Sequence, residues 1–237
     1  MKQTQKISAV IMMFLLIGVL LLTSFQLAVY GDSHYGFYKK EYEKYRVTDD
    51  LNMKIDNVMA VTEHMMAYLI GKEEKLSIVT DVDGEHQDFF NEQDRFHMGE
   101  VKDLFLGGLK IRNIMLVAVL LILILLAARK ADMIKLLPRA YFVTLGITGV
   151  ITIVLGVLFA SDFDKYFRIF HEIFFDNDQW MFDPATDYMI RMLPEGFFYD
   201  FVFRIGGFFV GSLAALGVVS AVYIFMEKHK KKNQVIR

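Results

Sequence analysis

The chain is 237 residues long, 54% of them hydrophobic, with a formal net charge of −2. It has no cysteine, which excludes disulfides, a cysteine nucleophile, a thiolate metal site and lipidation of a cysteine of its own. The hydrophobicity falls in long blocks, unlike the scattered pattern of a soluble domain, and no nucleic-acid partner is expected.

Four blocks reach the roughly 20 apolar residues that a helix needs to cross a hydrocarbon core of about 30 Å. The first, within residues 1–30, is too long for a signal-peptide core, and no small-x-small cleavage site follows it, so it reads as a retained anchor with a cytoplasmic N-terminus. Segment 31–108 is acidic and mixed. Within it Leu51, Ile55, Val58, Met59, Met65, Met66, Leu69 and Ile70 recur at helical spacing up to Gly71. That spacing predicts an amphipathic helix, expected to lie on the membrane surface. LSIVT, then DVDG, then EHQDFF predicts a small hairpin. From about Asn91 a further helix leads into the second span, 109–128. A short basic loop, 129–139, connects to the third span, 140–160.

The next segment, 161–200, is unusual. Residues 163–203 hold 14 aromatics, and Phe163, Phe167, Phe170 and Phe174 keep helical spacing. Aromatics concentrate where one side meets lipid and the other water, so FRIFHEIFF reads as a helix at the membrane interface. Pro184 and the Leu193-Pro194-Glu195-Gly196 turn break the chain before the fourth span, 201–226, and a basic tail, 227–237, follows. Segments 1–6, 129–139 and 227–237 carry a net charge of +9, whereas 31–113 and 161–203 hold 14 basic and 26 acidic residues. This asymmetry predicts both termini inside and both larger segments outside. The fold class is an all-α integral membrane protein, with four transmembrane helices and a mostly helical extracytoplasmic cap containing a small hairpin. The missing cysteine fits the cytoplasmic membrane of a bacterium that does not rely on disulfides.

Of six histidines, His229 belongs to the basic tail, and His34, His64 and His86 lie in ordinary polar surroundings. His97 and His171 differ, because each stands on a predicted helix just outside a span. Glu100 follows His97 by three positions and Glu172 adjoins His171. Taken alone, each histidine reads as a satisfied interfacial side chain. Taken as a pair at one membrane depth, they read equally as an acid and a base. Arg204, inside the fourth span, is either functional or snorkelling to the interface. No HExxH or HxxxH pair is present, so no metal site is expected. Nor is there a GxSxG elbow or a glycine-rich phosphate loop. Spans one and three carry no charge, and span two has only Lys110 and Arg112 at its outer edge. A transporter or channel would place polar groups at mid-membrane. Here the reactive side chains gather at the outer face, which points to chemistry on a lipidic substrate in the outer leaflet.

The stretch HEIFFDNDQWMFDPATDYMIRMLPEGFF, with FHMGEVKDLFLGG and the four-span layout, resembles the lipoprotein intramolecular transacylase family, Lit. The resemblance spans essentially the whole chain. It differs at Glu100, where the family commonly has Asp. It implies a substrate, a bacterial lipoprotein whose N-terminal cysteine carries an S-diacylglyceryl group and a free α-amine. It also implies a reaction, transfer of the sn-2 acyl chain to that amine to give the lyso form. His97 and His171 match the family's catalytic histidines, one as general base and the other as acid or oxyanion partner. Glu100 and Glu172 are then candidates to orient the imidazoles. Lys102, Arg191 and Arg204 are candidates for oxyanion or carbonyl contacts. Phe167, Phe174, Phe175 and Trp180 would line the lipid site. Ester-to-amide transfer is downhill, so no cofactor is expected. Two rival readings are a non-catalytic membrane accessory or lipid-binding scaffold, and another outer-leaflet lipid-modifying enzyme.

Overall fold

The computed structural model describes residues 2–235, with side chains described through His229. In chain order the helices and strands are α1 (Gln3–Tyr30), α2 (Gly36–Lys44), α3 (Val47–Asp50), α4 (Ile55–Leu69), β1 (Val79–Val82) and β2 (Glu85–Asp88). Then come α5 (Glu92–Ala128), α6 (Met133–Ser161), α7 (Phe163–Phe174), α8 (Tyr188–Met192) and α9 (Glu195–Val235). Among the described residues α1, α5, α6 and α9 are long and apolar enough to cross a membrane. Lys230, Lys231 and Lys232 of the expected basic tail lie outside the described side chains, and Arg237 lies outside the described residues.

The chain divides into two compact units. The first comprises 1–26, 110–160 and 205–237. Its outward faces are apolar: on α6, Val150, Ile153 and Val157 are each more than 60% exposed. Water would penalise such a surface, whereas lipid tails accept it, provided that every backbone group is satisfied within its own helix. Several polar side chains within its apolar runs turn back to backbone carbonyls. Thr144, Thr148 and Thr152 each donate to the carbonyl four residues earlier, and the Tyr141 hydroxyl donates to the Leu213 carbonyl at 2.6 Å.

The second unit, 27–109 and 161–204, has a core of its own. Tyr38, Tyr42, Leu51, Val58, Met65, Phe89, Met192 and Phe197 are all buried in it. Here one expectation is corrected. The apolar face of α4 does not lie on a membrane surface, because Val58, Val61, Met65, Met66 and Leu69 are covered by the unit's own side chains. Amphipathic spacing identifies a buried face without saying what buries it. The one polar pair in that face is satisfied: Thr62 Oγ1 donates to the Val58 carbonyl at 2.9 Å, and the Tyr42 hydroxyl donates to Thr62 at 2.7 Å.

The hairpin turns on Asp83 and Gly84, both at positive φ (51° and 85°), as a two-residue turn with matching twist demands. Its first strand starts three residues later than LSIVT suggested and runs through Asp81 and Val82, and its second starts at Glu85 as expected. Arg95 clamps the hairpin to the start of α5, donating to Asp88 at 2.7 Å and to the Leu76 carbonyl at 2.9 Å. At the start of α9, a Cβ on Gly196 would meet the Tyr45 ring at 2.3 Å, so only glycine fits that approach.

Candidate active site

The site is built on α5, α7 and the stretch after α7. Helix α5 begins with a reciprocal cap: the Asp94 N–H donates to Asn91 Oδ1 at 2.8 Å, and the Asn91 N–H donates to Asp94 Oδ2 at 2.9 Å. Asn91 Nδ2 also donates to Asp187 at 2.5 Å, which ties the cap to the segment before α8. One turn further on, the same helix face carries His97, 6% exposed. Helix α7 is capped by Asp162, which accepts the Lys165 N–H. Near its end stands His171, 7% exposed.

The two imidazoles meet with ring centroids 5.9 Å apart and planes inclined by 32°. Aromatic rings enclose them. Phe175 lies 4.9 Å and Phe182 5.5 Å from His97. Phe167 lies 4.2 Å from His171, and Trp180 stacks on that ring at 4.8 Å.

The pair differs in its polar contacts. His171 Nδ1–H donates to the Phe167 carbonyl at 2.7 Å, because a carbonyl can only accept. That fixes the tautomer of the neutral ring and leaves Nε2 as its reacting atom. His97 instead turns Nδ1 toward Glu100 Oε2, 3.8 Å away and too far for a hydrogen bond. Burial, and then the neighbouring His171, push the His97 pKa down to about 4. Burial also lowers that of His171, and the Phe167 carbonyl acts against the shift. Burial raises the Asp94 carboxyl to about 6, with Asp187 adding to the rise.

The other expected site residues fall in different places. Glu100 is joined to the site by Asn177, whose amide donates to Oε1 at 2.7 Å. Glu172 is exposed beside the buried His171. Lys102 holds its ammonium 4.0 Å over the Tyr68 ring, and Arg191 binds Asp50 and Asp83. Arg204 lies 4.4 Å over the Phe37 ring. Lys102 and Arg191 are thus placed against partners other than the two imidazoles. Phe167, Phe175 and Trp180 join the site, whereas Phe174 is 51% exposed at the end of α7. The sequence reading missed Phe182, Asn177 and Asp94. Phe182 had a signal, since it continues the aromatic run past Trp180, but Asn177 sits in a polar stretch that looks like any loop. Among the described residues no three histidine or acidic side chains are placed to hold a metal ion.

These features define a multi-pass helical membrane protein with a dry, aromatic-walled imidazole pair. The profile of one family, described as lipoprotein intramolecular transacylase Lit, matches residues 10–198, and the chain belongs to that family. Its activity is acyl transfer of that kind. A structure of the membrane-integral Lit of Bacillus cereus shares the fold, with a TM-score of 0.80 at 19% identity over 97% of this chain and 100% of that one. Two more structures of that protein, each with one histidine replaced (by arginine or by alanine), match at a TM-score of 0.72 and 20% identity. They cover 96% and 95% of this chain, and 95% and 96% of theirs. No curated protein matches the chain.

Proposed function

We propose that the protein moves the sn-2 acyl chain of a lipoprotein's S-diacylglyceryl group to the α-amine of the same N-terminal cysteine, by histidine acid–base catalysis. The observation that carries this reading is the meeting of His97 and His171 in a site walled by aromatic rings. That structures of the Bacillus cereus protein carry a histidine substitution also supports it.

The two environments suggest separate roles, because groups whose surroundings push their pKa values apart divide into base and acid. His97, the more strongly depressed, is neutral near pH 7 and has a carboxylate near Nδ1. We assign it as base: Nε2 takes a proton from the amine as nitrogen bonds to the ester carbonyl carbon. His171 is better suited to hold a proton, with a carbonyl on Nδ1 and the faces of Trp180 and Phe167 beside it. The proton passes from His97 to Nε2 of His171, and as the bond from acyl carbon to glyceryl oxygen breaks, that Nε2–H protonates the oxygen, which leaves both rings neutral again. Amine and ester share a tether, and good orientation of this kind supplies on the order of 7–11 kcal/mol of a barrier. The rings of Phe167, Phe175, Phe182 and Trp180 exclude the water that would otherwise hydrolyse the ester.

The charge asymmetry of the chain supports an orientation with both termini in the cytoplasm of a bacterial cell, and with 31–108 and 161–200 on the outer side of the cytoplasmic membrane. Diacylglyceryl lipoproteins and membrane lipid would be its partners there.

Isotope labelling tests the reaction. Labelled acyl chains on the diacylglyceryl group of a lipopeptide should reappear on the cysteine nitrogen of the same molecule, undiluted by excess unlabelled phospholipid. Dilution toward the phospholipid's isotope ratio would show an external donor and overturn the proposal.

A further inference from the structure

Two buried polar atoms face each other unbonded: Nδ1 of His97 and Oε2 of Glu100, 3.8 Å apart, neither with a hydrogen-bond partner. The other carboxylate oxygen, Oε1, is held by Asn177 Nδ2 at 2.7 Å. Asn177 is fixed at both ends of its amide, because its Oδ1 accepts the Gln179 N–H at 2.9 Å. Gln93 of α5 ties the same stretch down again, donating to the Gln179 and Met181 carbonyls at 3.1 and 3.0 Å. The Glu100 side chain is still 26% exposed, so without Asn177 its carboxylate would be free to turn toward water.

We propose that Asn177 is a positioning residue for acyl transfer, holding Glu100 so that Oε2 can receive the Nδ1–H of His97 as that ring takes up the amine proton. This rests on the acid–base reading above. A separation of 3.8 Å must close by roughly 1 Å to form an N–H···O bond. With His97 neutral there is little to gain from closing. Once the ring is charged the bond is charge-assisted, and in a site with little water it is stronger still. Stabilisation that appears only as charge develops accelerates the step. A carboxylate already aimed has no reorganisation cost to meet at that moment. An amide suits the task for a further reason. It donates to Oε1 without adding charge, whereas an arginine or lysine at 177 would offset the carboxylate charge that His97 needs. The titratable groups facing His97 are Glu100 from its own helix and His171 from α7.

The test measures kcat and KM of the purified full-length enzyme on a synthetic dipalmitoylglyceryl-cysteinyl peptide. Asn177→Ala should lower kcat by about 10- to 100-fold, the effect of losing a hydrogen bond to a charged group, with KM within about twofold. Glu100→Gln should cost at least as much. The double variant should fall within about twofold of Glu100→Gln alone, because Asn177 acts only through that carboxylate. Asn177→Asp keeps the acceptor for Gln179 and replaces the donor to Glu100 by a carboxylate oxygen that repels it, so it decides the matter if Asn177→Ala melts early. It too should lose at least tenfold in kcat. Losses that multiply in the double variant, or Asn177→Asp at the parental rate, would overturn the proposal. His97→Ala separates the two levels: if it stays active the acid–base reading fails, and if it is inactive while the Asn177 variants are normal only this proposal fails.

Discussion

The two units solve the same burial problem with different solvents. In the first, Ile124, Ile153 and Val218 turn more than 60% of their surface outward, and Thr144 and Thr148 serve their own backbone. In the second, tyrosines, phenylalanines and methionines close a core, and its surface is laced by pairs such as Arg95–Asp88 and Arg191–Asp83. Only the second kind of environment can keep imidazoles and carboxylates both dry and hydrogen-bonded. Lipid gives dryness without partners, and water gives partners without dryness. Helix α5 shows the change within one element. Its first half carries the buried Asp94 and His97, and its second half exposes Val117, Leu121 and Ile124.

The largest effect that this contrast predicts is on chemistry. His97→Ala or His171→Ala should each lower acyl transfer by roughly 10²–10⁴-fold, the usual range for a lost general acid or base. His34→Ala, at an exposed turn of the same unit, should be nearly silent. Variants of His97 and His171 that keep more than half the activity while folded would make the imidazole pair a packing feature.

Next is stability, where the two units should respond unequally to the same kind of change. Met65→Ala, at 1% exposure, removes packing from a closed core and should cost about 2–5 kcal/mol. Ile153→Ala, at 68% exposure, leaves no cavity and should cost much less. Ile153→Arg should impair insertion by about 2.5–3.5 kcal/mol, the cost of a cation near mid-membrane. Thermal melting in detergent checks the first pair, and the fraction inserted in membranes checks the third. An arginine tolerated at 153 would mean that this face of α6 meets water.

The same contrast explains what could be read from the sequence. The long helices were legible because lipid imposes one requirement, a run of apolar residues of fixed length, and α6 meets it without reference to any other part of the chain. The second unit's core was not, because Tyr42 packs against Phe197, and no local pattern joins residues so far apart. Helix α2, GFYKKEYEK, is too charged to announce that Tyr38 and Tyr42 are buried. His97 and His171 could be picked out by helical position and by the family resemblance. The link from Asn177 to Glu100 crosses 77 residues and needed the fold. Arg191 and Lys102 were attractive for their charge, but their partners Asp50, Asp83 and Tyr68 appear only in three dimensions.

The smallest effect concerns Asp94, a carboxyl with no exposed surface whose Oδ1 has no hydrogen-bond partner. Its folded pKa of about 6 stands above the ordinary aspartate value of 3.8, so between those values the folded state binds the proton and the unfolded state does not. Its contribution to stability is therefore complete below about pH 3.8, falls as pH rises through 6, and is a net cost at pH 7. Asp94→Asn keeps an oxygen for the Asn91 N–H and removes the charge, so it should stabilise the protein at pH 7 by about 1–3 kcal/mol. Near pH 4 the variant and parent should melt together. His97 titrates in the opposite sense, its folded pKa lying below the usual histidine value, so it weakens both proteins alike on acidification and cancels in the comparison. A variant no more stable than the parent at pH 7 would mean that the Asp94 carboxylate finds compensation in the α5 cap. The second unit would then satisfy buried charge as well as it satisfies buried imidazole.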